Sequence, residues 1–134
     1  MKIERSDVVA LKELGYGEGC RYIEAMHKRE MAFRMRDLKL SSRSEAERAA
    51  SKLGGKMVDF RLNEATEWAM VFTPFRNLKI YFVFQRYCPE FEDEIVTFYG
   101  KETVGTEIPV DDLYDFTRLY ANALVRVSKY VNIK

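Results

Sequence analysis

The chain is poor in the residues from which recognisable active sites are usually assembled. Its 134 residues include one histidine, two cysteines, three prolines and one tryptophan. A lone His27 cannot build a multi-histidine metal site, and any Ser-His-Asp arrangement would depend wholly on it. Flanked by Met26 and Lys28, it reads as a surface or helix-end residue. Cys20 and Cys88 lie far apart without CxxC spacing, which reads as two free, buried thiols rather than a bridge or a zinc site. No metal and no cofactor is expected. Arg76 and Lys79 interrupt the most apolar stretch, far short of the roughly 20 residues that a bilayer-spanning helix needs. The charged start, Met1-Lys2-Ile3-Glu4-Arg5-Ser6-Asp7, is not followed by the apolar core of a secretory signal, so a cytoplasmic location is expected. Gly15-Tyr16-Gly17-Glu18-Gly19 has phosphate-loop glycines, but it follows a helical segment and lacks the third glycine of GxGxxG. It reads as a flexible turn.

Aromatic residues are abundant: nine Phe, eight Tyr and Trp68. They concentrate between Trp68 and Phe84, where two apolar, β-branched and aromatic runs flank the turn-like Thr73-Pro74-Phe75-Arg76-Asn77. Such runs fit a pleated, half-buried surface, and the short link between them predicts an antiparallel connection. From Met57 the pattern is strand upon strand: 57–62 with Val58, Phe60 and Leu62 inward, then 66–72, 78–85 and 94–99. Short connections make this an antiparallel meander.

Helices are predicted around the meander. Ser6 caps a first one over Asp7–Leu14, stopped by Gly15. Residues 20–29 are ambiguous between a helical stripe of Cys20, Ile23, Met26 and His27 and the start of a strand at Cys20 and Tyr22. Met31, Phe33 and Met35 alternate with Ala32, Arg34 and Arg36, which predicts a strand with one basic face. Ser42-Arg43-Ser44-Glu45-Ala46-Glu47 holds two overlapping capping boxes and opens a helix that ends at Gly54-Gly55, with Ala46, Ala49, Ala50 and Leu53 inward. The last helix runs from Val110 to Val131 with Asp111 and Asp112 in its first turn and an apolar stripe of Leu113, Phe116, Tyr120, Ala123, Leu124, Val127 and Val131. The expectation is one α+β domain over residues 1–134, a mainly antiparallel sheet with helices packed on one face.

Charge is nearly balanced at +1 but unevenly placed. Residues 1–56 carry 13 Lys/Arg against 9 Asp/Glu, and residues 90–115 carry 1 against 9. The run Glu90, Glu92, Asp93, Glu94 lacks the Asp-x-Asp-x-Asp-Gly spacing of a calcium loop and reads as a solvated loop. Arg34, Arg36 and Arg43, with Lys39 and Arg48 nearby, are candidate phosphate or partner contacts, but Glu30, Asp37, Glu45 and Glu47 dilute their field. A pI of about 7.7 lies below that of dedicated nucleic-acid binders. Asp59, Glu64, Glu67 and Tyr99 are the groups an acid–base pocket would draw on, although their spacing does not require one. The expected function is therefore a non-catalytic binding or accessory subunit that contacts itself or another protein subunit. Tyr-rich surfaces suit such contacts. The alternatives are a small carboxylate/tyrosine enzyme and a weak nucleic-acid binder.

From Ser44 onward one order of features stands out: Leu53-Gly54-Gly55, a strand with Asp59, a strand ending near Pro74, Leu78-Lys79-Ile80-Tyr81-Phe82, Pro89-Glu90-Phe91-Glu92, and Ile108-Pro109-Val110-Asp111-Asp112-Leu113 opening the final helix. Over residues 44–131 this resembles the C-terminal half of an uncharacterised prokaryotic domain family of anaerobes that is sometimes fused to iron–sulfur cluster domains. The chain departs from that family at Arg86-Tyr87-Cys88, where the family is more acidic. The resemblance implies a redox or one-carbon metabolic setting and assigns no residue a role. Two cysteines cannot hold a four-cysteine cluster, so the chain itself would carry none.

Overall fold

The structure, a computed structural model, describes residues 2–14, 20–40, 42–87, 90–104, 106 and 108–131. Its centre is a five-stranded antiparallel sheet in the order β1-β5-β4-β3-β2, with β1 Val8–Val9, β2 Lys56–Val58, β3 Thr66–Phe75, β4 Leu78–Gln85 and β5 Glu94–Gly100. Strands β2 to β5 follow one another in space as in sequence, which is the expected meander. β3 runs three residues further than the aromatic pattern implied, and the hairpin closes through Arg76 and Asn77, with Phe75 opposite Leu78. A register shift between Phe72 and Phe75 absorbs Pro74, which cannot donate to the ladder. β2 is only three residues long. Beyond it Phe60 is still buried, while Asn63, Thr66 and Gln85 close the next loop: Thr66 Oγ1 donates to Gln85 Oε1 at 2.6 Å, and Gln85 Nε2 to Asn63 Oδ1 at 2.7 Å.

Three helices, α1 Cys20–Met35, α2 Arg43–Lys52 and α3 Val110–Val131, lie on one face of the sheet. Alternation along the strands sends Trp68, Met70, Phe72, Ile80, Phe82, Phe84 and Tyr99 toward them. α2 starts where its capping box places it, with Ser42 Oγ accepting from Glu45 N at 3.2 Å. Ala46, Ala49 and Ala50 are buried and bring its axis close to the sheet. It stops at Gly54, whose φ of +77° suits glycine, and Gly55 N closes back onto Ala50 O at 2.8 Å. A Cβ at Gly55 would overlap the Phe72 ring and lie 2.9 Å from Val71 O. α3 spans the predicted residues. Its buried stripe also includes Thr117, Ala121 and Ser128. Thr117 Oγ1 donates to Leu113 O and shares a 2.7 Å hydrogen bond with the buried Tyr99 hydroxyl, tying α3 to β5.

The opposite face of the sheet is also covered. Val58, Ala69, Tyr81, Val83 and Phe98 pack there with Val8, and Ile3, Ala10 and Leu62 close over them. This is why Tyr81 is buried between the equally buried Ile80 and Phe82, each directed to the other face.

Two expectations are corrected. Residues 7–14 are not a helix: Arg5–Asp7 and Leu11–Leu14 are 3₁₀ turns around β1. Two adjacent valines gain more by pairing with Tyr99 and Gly100 at the sheet edge than by continuing a helical turn, and Val8 is buried there. Residues 30–35 are not a strand but the second half of α1. Glu, Met, Ala and Arg are strong helix formers, and three alternating apolar residues are too few to separate the two periods. Met31 faces the core and Phe33 is 63% exposed. The Gly15–Gly19 turn, Cys88 and the Cys20 side chain lie outside the described residues.

Candidate functional site

The candidate basic residues do not form one face. Arg34, half-buried in α1, is held by Glu30 at 3.1 Å and by Asn122 Oδ1 of α3. Arg36 is exposed just past the end of α1, and Arg43 is exposed as the first residue of α2. With the predicted strand absent, the basic strand face is absent too. The possible acid–base set is likewise scattered: the Tyr99 hydroxyl is sealed under α3 against Thr117, whereas Asp59, Glu64 and Glu67 are exposed, and Glu67 pairs with Arg86 at 3.1 Å. Of the acidic run, Asp93 accepts from Tyr87 N at 2.8 Å. Glu90, Glu92 and Glu94 are exposed, as is Phe91 at 76%. Among the described residues no three His, Cys, Asp or Glu side chains group as metal ligands, and no helix is long and apolar enough to cross a membrane.

Two other features emerge, both on α1. The first is His27, which the sequence places at the surface and the structure buries at 6% exposure. It meets Tyr114 of α3 edge-on, with ring centroids 5.5 Å apart. Burial pushes the imidazole pKa down from 6.5 to about 4, so the ring is neutral at physiological pH. Met31, one turn further along the same helix face, is also buried. A histidine four residues before a methionine can occupy the inner stripe as readily as the outer one, and Met26 and Lys28 on either side do not distinguish the two.

His27 borders a cleft of about 370 Å³ between α1 and the outer side of β5. β1 covers β5 only at Tyr99 and Gly100, so residues 94–98 border this space instead of another strand. The cleft is lined by Leu11, His27, Met31, Ile95, Thr97 and Phe98, with Arg5, Lys28 and Glu94 among its charged groups. The Arg5 guanidinium lies 4.9 Å from the Phe98 ring centroid, donates to Val8 O at 2.8 Å and pairs with Glu13 at 3.0 Å. His27 Nε2 and Thr97 Oγ1 are buried without a hydrogen-bond partner among the described residues. An unmet buried polar atom costs about 1–3 kcal/mol, and among the described residues these two, both beside one cleft, are the buried side-chain N and O atoms without a partner.

The second feature is the outward side of the helix layer. α1 and α3 run parallel, as the successive contacts His27–Tyr114, Glu30–Arg118 and Arg34–Asn122 show. On the side of α1 away from the core, Tyr22, Met26 and Phe33 are 73%, 38% and 63% exposed. Leu119 and Tyr130 are exposed on α3. Beside Phe33 an open groove of about 350 Å³ is lined by Asp37, Asn122, Val125, Arg126 and Lys129. Comparison of the chain with family models, with curated proteins and with solved structures finds no match in any of the three.

Proposed function

We propose that the chain is a cytoplasmic, non-catalytic binding subunit that assembles with further copies of itself through the outward side of α1 and α3. The observation that carries this reading is α1. A helix that lies on a sheet needs one apolar stripe, and α1 has Met31 on its inner side and Tyr22, Met26 and Phe33 on its outer side. An apolar outer side suits an interface, and aromatic and methionine side chains are the residues that interfaces favour.

A second copy offers the complementary chemistry. The exposed charged residues of the groove are Arg126 and Lys129 against the single Asp37, and the exposed Phe91 stands between exposed Glu90 and Glu92. An aromatic ring flanked by carboxylates fits a groove with an apolar wall at Phe33 and Val125 and a cationic rim. Because the two patches differ, the contact is head-to-tail and closes into a ring or extends as a filament according to its rotation.

Light scattering at rising protein concentration is expected to report a mass above 15.8 kDa, lowered by added salt and by Glu90→Lys with Glu92→Lys. A mass of one chain at every concentration would overturn self-association. Sub-micromolar, salt-sensitive binding of single-stranded RNA, abolished by Arg34→Ala with Arg36→Ala, would favour the nucleic-acid reading instead.

A further inference from the structure

The cleft between α1 and the outer side of β5 holds chemistry that the docking side does not use, and its lining shares no residue with the groove beside Phe33. We propose that this cleft binds a small uncharged molecule with a hydroxyl group on an apolar, ring-sized body, the hydroxyl meeting His27 Nε2 and Thr97 Oγ1.

The two polar atoms define the recognition. A hydroxyl both donates and accepts, so it can serve a neutral imidazole nitrogen and a threonine hydroxyl together, whichever of them holds the proton. Both atoms are buried and without a partner among the described residues, and His27 is itself 94% buried, being 6% exposed. Leu11, Met31, Ile95 and Phe98 give the ligand body an apolar surround. The volume of about 370 Å³ falls near the small end of the ~300–1,000 Å³ typical of ligand pockets, which suits a single ring better than a fused or extended molecule.

The charges around the cleft favour a neutral ligand. Arg5 is already engaged by Glu13 and Val8 O, Glu24 has an interaction of its own, and the exposed Lys28 and Glu94 carry opposite signs. The desolvation that keeps His27 neutral would also penalise an ionised group at the same depth.

The test is an NMR titration of the full chain with phenol, with toluene and benzoate as comparators. At millimolar concentrations phenol is expected to shift the His27 and Thr97 side-chain signals. Toluene, which replaces the hydroxyl by a methyl, is expected to bind about tenfold more weakly. Thr97→Val, which keeps the side-chain shape, should remove most of that preference for phenol while leaving toluene binding unchanged. Absence of localised shifts with phenol would overturn the proposal by showing that solvent alone occupies the cleft. Equal loss of phenol and toluene binding in Thr97→Val would overturn the hydroxyl's role. Tighter binding of benzoate, accompanied by protonation of His27, would overturn the neutral class and mark an anion site. All three readouts are taken at a concentration below any self-association, so failure here and failure of assembly are separate results.

Discussion

α1 and α3 lie side by side on the same sheet, yet only one of them is accounted for by the fold. In α3 most apolar residues fall on one stripe, the first turn carries Asp111 and Asp112, and Leu113, Leu124 and Val131 are buried. Packing uses nearly all of that helix's apolar surface, and only Leu119 and Tyr130 stand exposed among its large apolar residues. α1 buries His27 and Met31, exposes Tyr22, Met26 and Phe33, and has no acidic residue in its first turn. The difference teaches where to look for function. A helix that stability alone would have written differently is one on which another requirement acts, and both the cleft and the outward apolar side involve α1.

The comparison breaks most easily in the core. Leu124→Ala removes a side chain that is 2% exposed between α3 and the sheet, and it should cost about 2–5 kcal/mol, read as a fall in the denaturant midpoint. Ile80→Ala in β4, fully buried, belongs to the same class. The partly exposed Lys79 next to it, paired with Glu102 at 3.8 Å, should cost less than about 1 kcal/mol when changed to Ala. Equal, small losses at all three positions would contradict the burial of Leu124 and Ile80 beside a partly exposed Lys79.

A pH titration comes next. His27 is buried neutral with its pKa lowered to about 4, whereas the unfolded chain protonates it near 6.5. Between these values the unfolded state binds more protons, so stability is complete above about pH 6.5, falls as pH drops toward 4, and changes no further on this account below that. The shift corresponds to at most about 3 kcal/mol. The measurement is the wild-type stability profile minus that of His27→Gln, which cancels the carboxylates titrating in the same range. A flat difference would place the imidazole in contact with water.

How much of this was legible in the sequence follows from how each residue is used. α2, β4 and α3 were readable because their signals are redundant: caps, periodicity and length agree. The edges were less so. Val8-Val9 reads as helix or strand depending on whether a neighbour's edge is present, and that neighbour, Tyr99-Gly100, lies ninety residues along the chain. Met31, Phe33 and Met35 alternate, and only the helix formers between them weigh the other way. The cleft could not be read because it needs α1, the N-terminal segment and β5 together. One signal was available for His27: its spacing to Met31 allowed the inner stripe. Thr117 and Ser128 escaped because a hydroxyl in an apolar stripe carries no hydrophobic signal, although each is bonded within α3.

Thr117 sharpens the account of α3. Its hydroxyl satisfies Leu113 O and reaches the Tyr99 hydroxyl at 2.7 Å in a site closed to solvent. Thr117→Val keeps the volume and leaves the Tyr99 hydroxyl without this bond, so a loss of about 1–3 kcal/mol is expected, with the helix content unchanged by circular dichroism. A loss below about 0.5 kcal/mol would mean that Tyr99 is satisfied by its other contacts.

The smallest expected effect on stability tests the outward side of α1. Tyr22 and Phe33 are 73% and 63% exposed, so Tyr22→Ser with Phe33→Ser removes little surface that folding hides from water. The monomer should keep its midpoint to within about 0.5 kcal/mol, the usual range for surface changes. Association should nevertheless weaken by at least tenfold, because in the assembled state the same side chains move from water into the contact, and about 1.4 kcal/mol per tenfold is less than one buried aromatic contributes. A variant that loses stability and keeps its mass would mean that Phe33 packs within its own chain, and the surplus apolar side of α1 would then belong to the fold after all.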